Sequence, residues 1–132
     1  GVSDYVKFTG WVDQKLLSEY ISVSDVCIIP FFRTKVNERG VPNKLFEYIV
    51  HDKPVLSSNL KGISSTFSDQ EITFFEPGDA NDLADKILWC YHNPEQLEAK
   101  IVAAKKRYYA EYTWPKMEKE LYRCYDSLSG ST

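Results

Sequence analysis

Cysteine is scarce and badly arranged for cross-linking: Cys27, Cys90 and Cys124 make an odd total with no CxxC pair. Disulfide scaffolds and thiolate metal sites are therefore poor expectations. Buried, reduced thiols fit better and point to a reducing compartment. A strong charge of one sign is also lacking. With 27% charged residues and a net charge of -3, no broad field invites nucleic acid or an anionic membrane surface, so any bound anion has to be held by local groups. No apolar run approaches the length of a membrane span, and the start GVSDYV lacks the basic-then-apolar layout of a signal peptide. A soluble, cytoplasmic domain is the expectation. The chain has no initiator Met and a strand-like run begins almost at once, so an excised piece of a longer polypeptide is expected. No internal repeat, low-complexity tract or Asp-x-Asp motif occurs, and nothing suggests a metal.

What is present fits one domain, about the size of a single α/β layer unit. Residues 5–9 alternate apolar and polar side chains and end at Gly10, as a strand entering a turn does. Val26 to Ile29 is a continuous apolar run closed by Pro30, Val55 and Leu56 follow Pro54, and Ile72 to Phe75 stop at Glu76-Pro77-Gly78. Between them lie helical spacings. Asp13 caps one carrying Leu16, Leu17, Tyr20 and Ile21, and Asp79 caps one with Leu83, Ile87, Leu88 and Tyr91 on one side. Asn93-Pro94 with Gln96 resembles a capping box ahead of Leu97, Ile101, Ala104 and Tyr108. Thr113 opens a last helix with Trp114, Met117, Leu121, Cys124 and Leu128 three and four apart. Alternating strands and helices predict an α/β fold, a Rossmann-like parallel sheet of about four strands flanked by helices, with a helical C-terminal segment. The domain spans 1–128, with 129–132 a disordered tail.

The most informative stretch is GVPNKLFEYIVHDKPVLSS, from Gly40 to Ser58. At 100° per residue, Lys44, Glu47, Tyr48 and His51 share one helical face, while Leu45, Phe46, Ile49 and Val50 form the opposite, apolar one. Pro42 suits a first helical position, leaving the next N–H groups free for an anion such as phosphate. The preceding loop, Phe31 to Val41, runs from a strand's carboxyl end to this helix, where open α/β sheets bind ligands. It carries Arg33, Lys35, Glu38 and Arg39 beside Phe31 and Phe32.

This segment resembles the donor-binding stretch of the group 1 retaining glycosyltransferases, whose signature runs P-x-K-L-x-E-Y and then K-P-V. The matching residues are Pro42, Lys44, Leu45, Glu47 and Tyr48, followed by Lys53, Pro54 and Val55. VKFTGWV, SDVCIIP, EPGDANDLADKI and YTWPKMEKELYRCY fall in the family's order, so nearly the whole chain is covered. The resemblance implies the nucleotide-sugar-binding half of an enzyme with two Rossmann-like domains (the GT-B fold), truncated relative to the full family domain. It implies that Glu47 accepts hydrogen bonds from the donor's ribose hydroxyls, and that Phe31, Gly40, Val41, Pro42, Asn43 and Lys44 line the nucleotide and its distal phosphate. No cofactor is implied beyond the nucleoside diphosphate sugar.

The family's sugar-contacting glutamate stands eight residues before the ribose glutamate, and here that place is Arg39, with Glu38 one off. Either the loop is one residue longer and Glu38 takes the role, or Arg39 meets a charged sugar or a phosphate. Glu47 itself has a plainer alternative, an ion pair with Lys44. His51 and His92 are poor substitutes for the family's catalytic-side histidine, and Asp52 stands where Gly is usual, at a turn Asp tolerates. The full-length enzyme implied would serve polysaccharide or lipopolysaccharide assembly. It would pair with an acceptor-binding N-terminal domain and act in the cytoplasm or peripherally at the inner membrane face. The rival readings are a non-catalytic α/β binding or regulatory module and a sugar-nucleotide epimerase domain. Two strands expected before residue 5 are missing, so strand 5–9 either moves beside strand 26–29 or leaves an exposed edge that drives self-association.

Overall fold

The computed structural model describes residues 1–129. Its strands β1 (Cys27–Ile29), β2 (Val55–Ser58) and β3 (Thr73–Phe75) form a parallel sheet in the order β1-β2-β3. Cys27 lies opposite Val55, and Leu56 opposite Thr73. All of β2 is buried, including two serines whose hydroxyls need partners there. Ser58 Oγ donates to the Ile29 carbonyl and Ser57 Oγ to that of Ser58, each at 3.2 Å.

Helix α1 (Gln14–Val23) precedes β1, α2 (Asn43–Val50) joins β1 to β2, and the single turn α3 (Lys61–Ser64) follows β2. After β3 come α4 (Ala80–His92), α5 (Pro94–Arg107), a π-helical turn over Tyr108–Tyr112, and α6 (Trp114–Ser129). The caps form as the side chains dictate. Asp13 accepts from the Leu16 N–H at 2.8 Å, and Asp79 from those of Asn81 and Asp82 at 2.9 and 3.0 Å. At the start of α5 the capping box is replaced by a side-chain pair, Gln96 Nε2 donating to Asn93 Oδ1 at 3.2 Å.

The core gathers Ile29, Leu45, Ile49, Val55, Ile63, Phe67, Ile72 and Ala104. Phe46 of α2 adds an aromatic seam, with Phe67, Tyr108 and Tyr112 at ring separations of 5.7 to 6.1 Å. Helix α2 is therefore held by the sheet beneath it and by the π-helical turn beside it. Behind it, Asp52 adopts a left-handed φ of 57° and takes an ion pair from Lys105 at 2.6 Å, tying the turn into β2 to α5.

Several expectations are corrected. Residues 5–9 form no strand: a 3₁₀ turn covers Ser3–Tyr5, and Tyr5 and Phe8 are 89% and 94% exposed. The sheet has three strands, and among the described residues nothing pairs with the outer edge of β1. Alternation alone does not make a strand, even with that edge open. Pro42 is the N-cap, one place outside the helix. On α2, Val50 is 39% exposed, whereas Tyr48, assigned to the polar face, packs on the core. The stripes of α4 and α6 are largely uncovered: Ile87, Leu88 and Tyr91 are exposed, α4 buries Cys90 instead, and α6 buries nothing. Ser129 closes α6; residues 130–132 of the expected tail lie outside the described residues.

Cys27 and Cys90 are buried, but Cys124 is exposed. Burial pushes the Cys27 thiol up to about 11 against a smaller lowering by Lys53, and burial likewise raises Cys90. In the native protein at pH 8, iodoacetamide therefore labels Cys124 at least about tenfold faster than either buried thiol. Peptide mass spectrometry over time reads this directly, and equal rates at all three positions contradict the packing of β1 and α4.

Candidate functional site

Three loops leave the carboxyl ends of the strands together: 30–41 after β1, 59–60 after β2, and 76–79 after β3. In open α/β sheets this rim is where ligands enter. Helix α2 rises from the first loop, its buried Leu45 and Ile49 fixing the roll of the helix and so the side that its polar residues present.

Glu47 sits on that polar side, partly exposed, and among the described residues its carboxylate has no hydrogen-bond or ion-pair partner. The plainer alternative of a Lys44 pair is not realised. Lys44 instead lays its ammonium over the Phe31 ring, 4.8 Å from the centroid, a cation–π contact that draws the cation toward the loop. The Glu47 backbone is engaged: its carbonyl accepts from the His51 N–H at 3.1 Å and from His51 Nδ1 at 2.8 Å. His51 is thus spent closing α2, and His92 ends α4 away from this rim.

At the tip, Pro42 caps α2 in an extended conformation (φ -71°, ψ 138°), and the Leu45 N–H returns to its carbonyl at 3.0 Å. The N–H groups of Val41, Asn43 and Lys44 precede any intrahelical acceptor and find none among the described residues. Gly40 and Asn43 are exposed, while Val41 and Phe31 lean on the core, so the tip is fixed from below and open above. Such a tip favours anionic groups.

Glu38 and Arg39 diverge. One Glu38 oxygen takes the Lys61 N–H at 2.8 Å, and the other pairs with Arg33. The Lys61 N–H acts most strongly to lower the Glu38 carboxyl, partial desolvation opposes it and Arg33 adds to the lowering; the net direction is down. Arg39 is exposed, with no side-chain partner among the described residues. The structure thus puts Lys44 over Phe31, leads Gly40 and Val41 into the Pro42 cap and Asn43 of α2 with Glu47 one turn on, leaves Arg39 exposed, and ties Glu38 to Arg33 and Lys61.

Sequence reasoning missed the groups that hold the loop. Arg33 Nη2 reaches the Asn59 carbonyl and the Glu76 carboxylate, each at 3.3 Å, and Glu76 receives in turn a fixed backbone, its N–H bonded to Asp82 at 2.6 Å. Gly62 passes so close to Gly40 that a Cβ on it would lie 2.4 Å from the Gly40 carbonyl oxygen. Neither feature has a local signal. A hollow of 990 Å³ lies elsewhere, at the amino ends of β1 and β2 between Val26, Pro54, Ile87, Tyr91, Leu97 and Val102. Its walls are mainly apolar, and it includes none of the residues just described. Among the described residues no cluster of His, Cys, Asp and Glu could hold a metal, and no helix is long and apolar enough to cross a membrane.

This α/β arrangement is that of glycosyltransferase domains. Sucrose-phosphate synthase from Thermosynechococcus elongatus superposes with a TM-score of 0.76 at 24% identity, over 99% of this chain and 32% of that one. A glycosyltransferase from Rickettsia africae ESF-5 does so with a TM-score of 0.75 at 19% identity, over 91% and 31%. The chain belongs to the family described as Glycosyl transferases group 1, whose model matches residues 1–93. It is also 36% identical, over 59 residues, to the putative teichuronic acid biosynthesis glycosyltransferase TuaH of Bacillus subtilis (strain 168). That match takes in 45% of this chain and 15% of the relative, so this chain spans only a minor part of the proteins it resembles.

Proposed function

We propose that this chain is the nucleotide-sugar donor-binding part of a retaining glycosyltransferase. The full-length enzyme would transfer a hexose-type residue from a nucleoside diphosphate to a saccharide or lipid-linked acceptor. The observation that carries this reading is the partly exposed Glu47 carboxylate, without a partner among the described residues, one turn from a helix tip whose first N–H groups find no acceptor among them. A carboxylate accepts from two vicinal ribose hydroxyls at once, and the tip offers donors to the distal phosphate. Gly40 lets that phosphate approach the backbone. When the glycosidic bond breaks, negative charge grows on the departing diphosphate, and fixed N–H donors stabilise it without reorganising.

Family membership supports a transferase, and the relative named for teichuronic acid biosynthesis is in keeping with a biosynthetic role. The polysaccharide or lipopolysaccharide setting, the cytoplasmic location and the partnership with an acceptor-binding domain belong to the same proposal. With Glu38 held by Arg33 and Lys61, Arg39 is the side chain left to meet the donor's sugar. Its planar fork selects an anionic sugar or a phosphate. Uridine and guanosine diphosphates titrated into the isotope-labelled chain should shift the amide resonances of residues 31–47. Shifts confined to the apolar hollow, or none at all, would favour a non-catalytic binding module.

A further inference from the structure

Arg33 touches a loop from every strand of the sheet. Its guanidinium pairs with Glu38 in the loop after β1, donates to the Asn59 carbonyl after β2 at 3.3 Å, and reaches the Glu76 carboxylate after β3 at 3.3 Å. Glu38 extends the bridge. Its free oxygen takes the Lys61 N–H at 2.8 Å, and its carbonyl takes the Gly62 N–H at 2.9 Å. Gly62 then lies against the Gly40 backbone, which a Cβ could not permit. Gly40 is two residues ahead of the Pro42 cap. The height at which α2 presents its first N–H groups is therefore set through Gly40 by the chain Arg33, Glu38, Lys61 and Gly62.

The loop is also turned on itself: the Asn37 N–H donates to Thr34 Oγ1 at 3.1 Å and Asn37 Nδ2 to the Phe32 carbonyl at 2.8 Å. These bonds shape the loop, but none of them ties it to β2 or β3. Among the described residues, the hydrogen bonds and ion pairs that do so come from Arg33 and Glu38, while the Phe32 ring lies beside Gly78 after β3. Exposed ion pairs add little to global stability, so such a bridge acts mainly on relative position. An arginine suits this task because its fork serves several acceptors in fixed directions, which a single ammonium cannot do.

We propose that Arg33 and Glu38 form a clasp that positions the α2 tip for the donor's diphosphate, Arg33 acting as a positioning residue and Glu38 as its strut instead of a sugar ligand. This rests on the donor-binding reading above. The clasp closes before any nucleotide arrives, and its loss leaves the tip's N–H groups in place chemically but displaced relative to Glu47. Lysine cannot replace Arg33 in this role, although it could if the guanidinium merely attracted phosphate.

The test uses the 132-residue chain with Arg33→Lys, Glu38→Gln and both together. Three quantities are measured: hydrogen exchange at the Lys61 and Gly62 amides, melting temperature, and nucleoside diphosphate affinity from resonance titration. The clasp predicts that each single change speeds exchange at both amides by about tenfold and weakens affinity by about five- to tenfold. The double change should do no more than either alone, with melting temperature within about 3 °C of the parent. Glu47→Ala, by contrast, weakens affinity with exchange at Lys61 and Gly62 unaltered. Unchanged exchange in Arg33→Lys and Glu38→Gln overturns the clasp. Faster exchange with unchanged affinity makes it structural only, and Arg33→Lys that binds normally makes Arg33 a plain charge. If the parent chain binds neither nucleotide, the donor reading itself fails and the positioning role with it, while the exchange data still decide whether the clasp exists.

Discussion

Truncating Glu47 to alanine should weaken nucleoside diphosphate binding by about ten- to a hundredfold. The carboxylate makes no hydrogen bond or ion pair within the described protein, so its removal breaks nothing in the fold and leaves no buried group unpartnered. All that is lost is its capacity to accept from two hydroxyls, charge-assisted bonds worth together about 1.5–3 kcal/mol. Melting temperature should stay within a few degrees of the parent, because α2 keeps Leu45, Ile49 and its aromatic seam. Glu47→Gln separates charge from shape: an amide oxygen still accepts, but with about half the strength of an ionised oxygen, so its affinity should fall between the two. Calorimetric titration checks the order. Equal affinities for all three proteins would mean that the ribose is held elsewhere.

Gly62→Ala should be the more damaging change to the molecule as a whole. A methyl group 2.4 Å from the Gly40 carbonyl oxygen meets backbone, which cannot rotate out of the way as a flexible side chain would. Either α3 or the loop before α2 has to move. Overpacking of this kind typically costs about 1–3 kcal/mol, and the backbone obstacle puts this site at the upper end. A fall in melting temperature of roughly 5–12 °C follows for a domain of this size. Because Gly40 leads directly into the α2 tip, nucleotide affinity should fall with it, and the Gly62 N–H should exchange faster as its bond to the Glu38 carbonyl loosens. Calorimetric melting together with titration reads both. An alanine variant that melts and binds like the parent would show that the two glycines do not approach as described.

Local chemistry was readable along the chain where it suffices to decide structure. Asp13 and Asp79 each cap a helix because a carboxylate at that position meets its N–H groups within three residues. The apolar runs that became β1, β2 and β3 had no other stable place than a sheet interior. Asp52 holds a left-handed turn, as its short polar side chain allows. Glu47 was recognisable as a partly exposed carboxylate from helical spacing alone. What depended on partners was not readable. Residues 5–9 have a strand's alternation yet do not join the open edge of β1, and the stripes of α4 and α6 reveal apolar faces without saying what covers them. The sequence also left the fates of Glu38 and Arg39 open. Arg33 bonds residues 26 and 43 positions away, and no pattern within the loop from Phe31 to Val41 could show that one of its cations was committed to binding its neighbours.

A crystal structure of the chain with bound uridine or guanosine diphosphate tests the central claim most directly. The account places the ribose hydroxyls within about 3 Å of the Glu47 carboxylate and the distal phosphate at the N–H groups of Val41, Asn43 and Lys44. A nucleotide lodged instead between α4 and α5, or one at the mouth whose ribose makes no contact with Glu47, would contradict it.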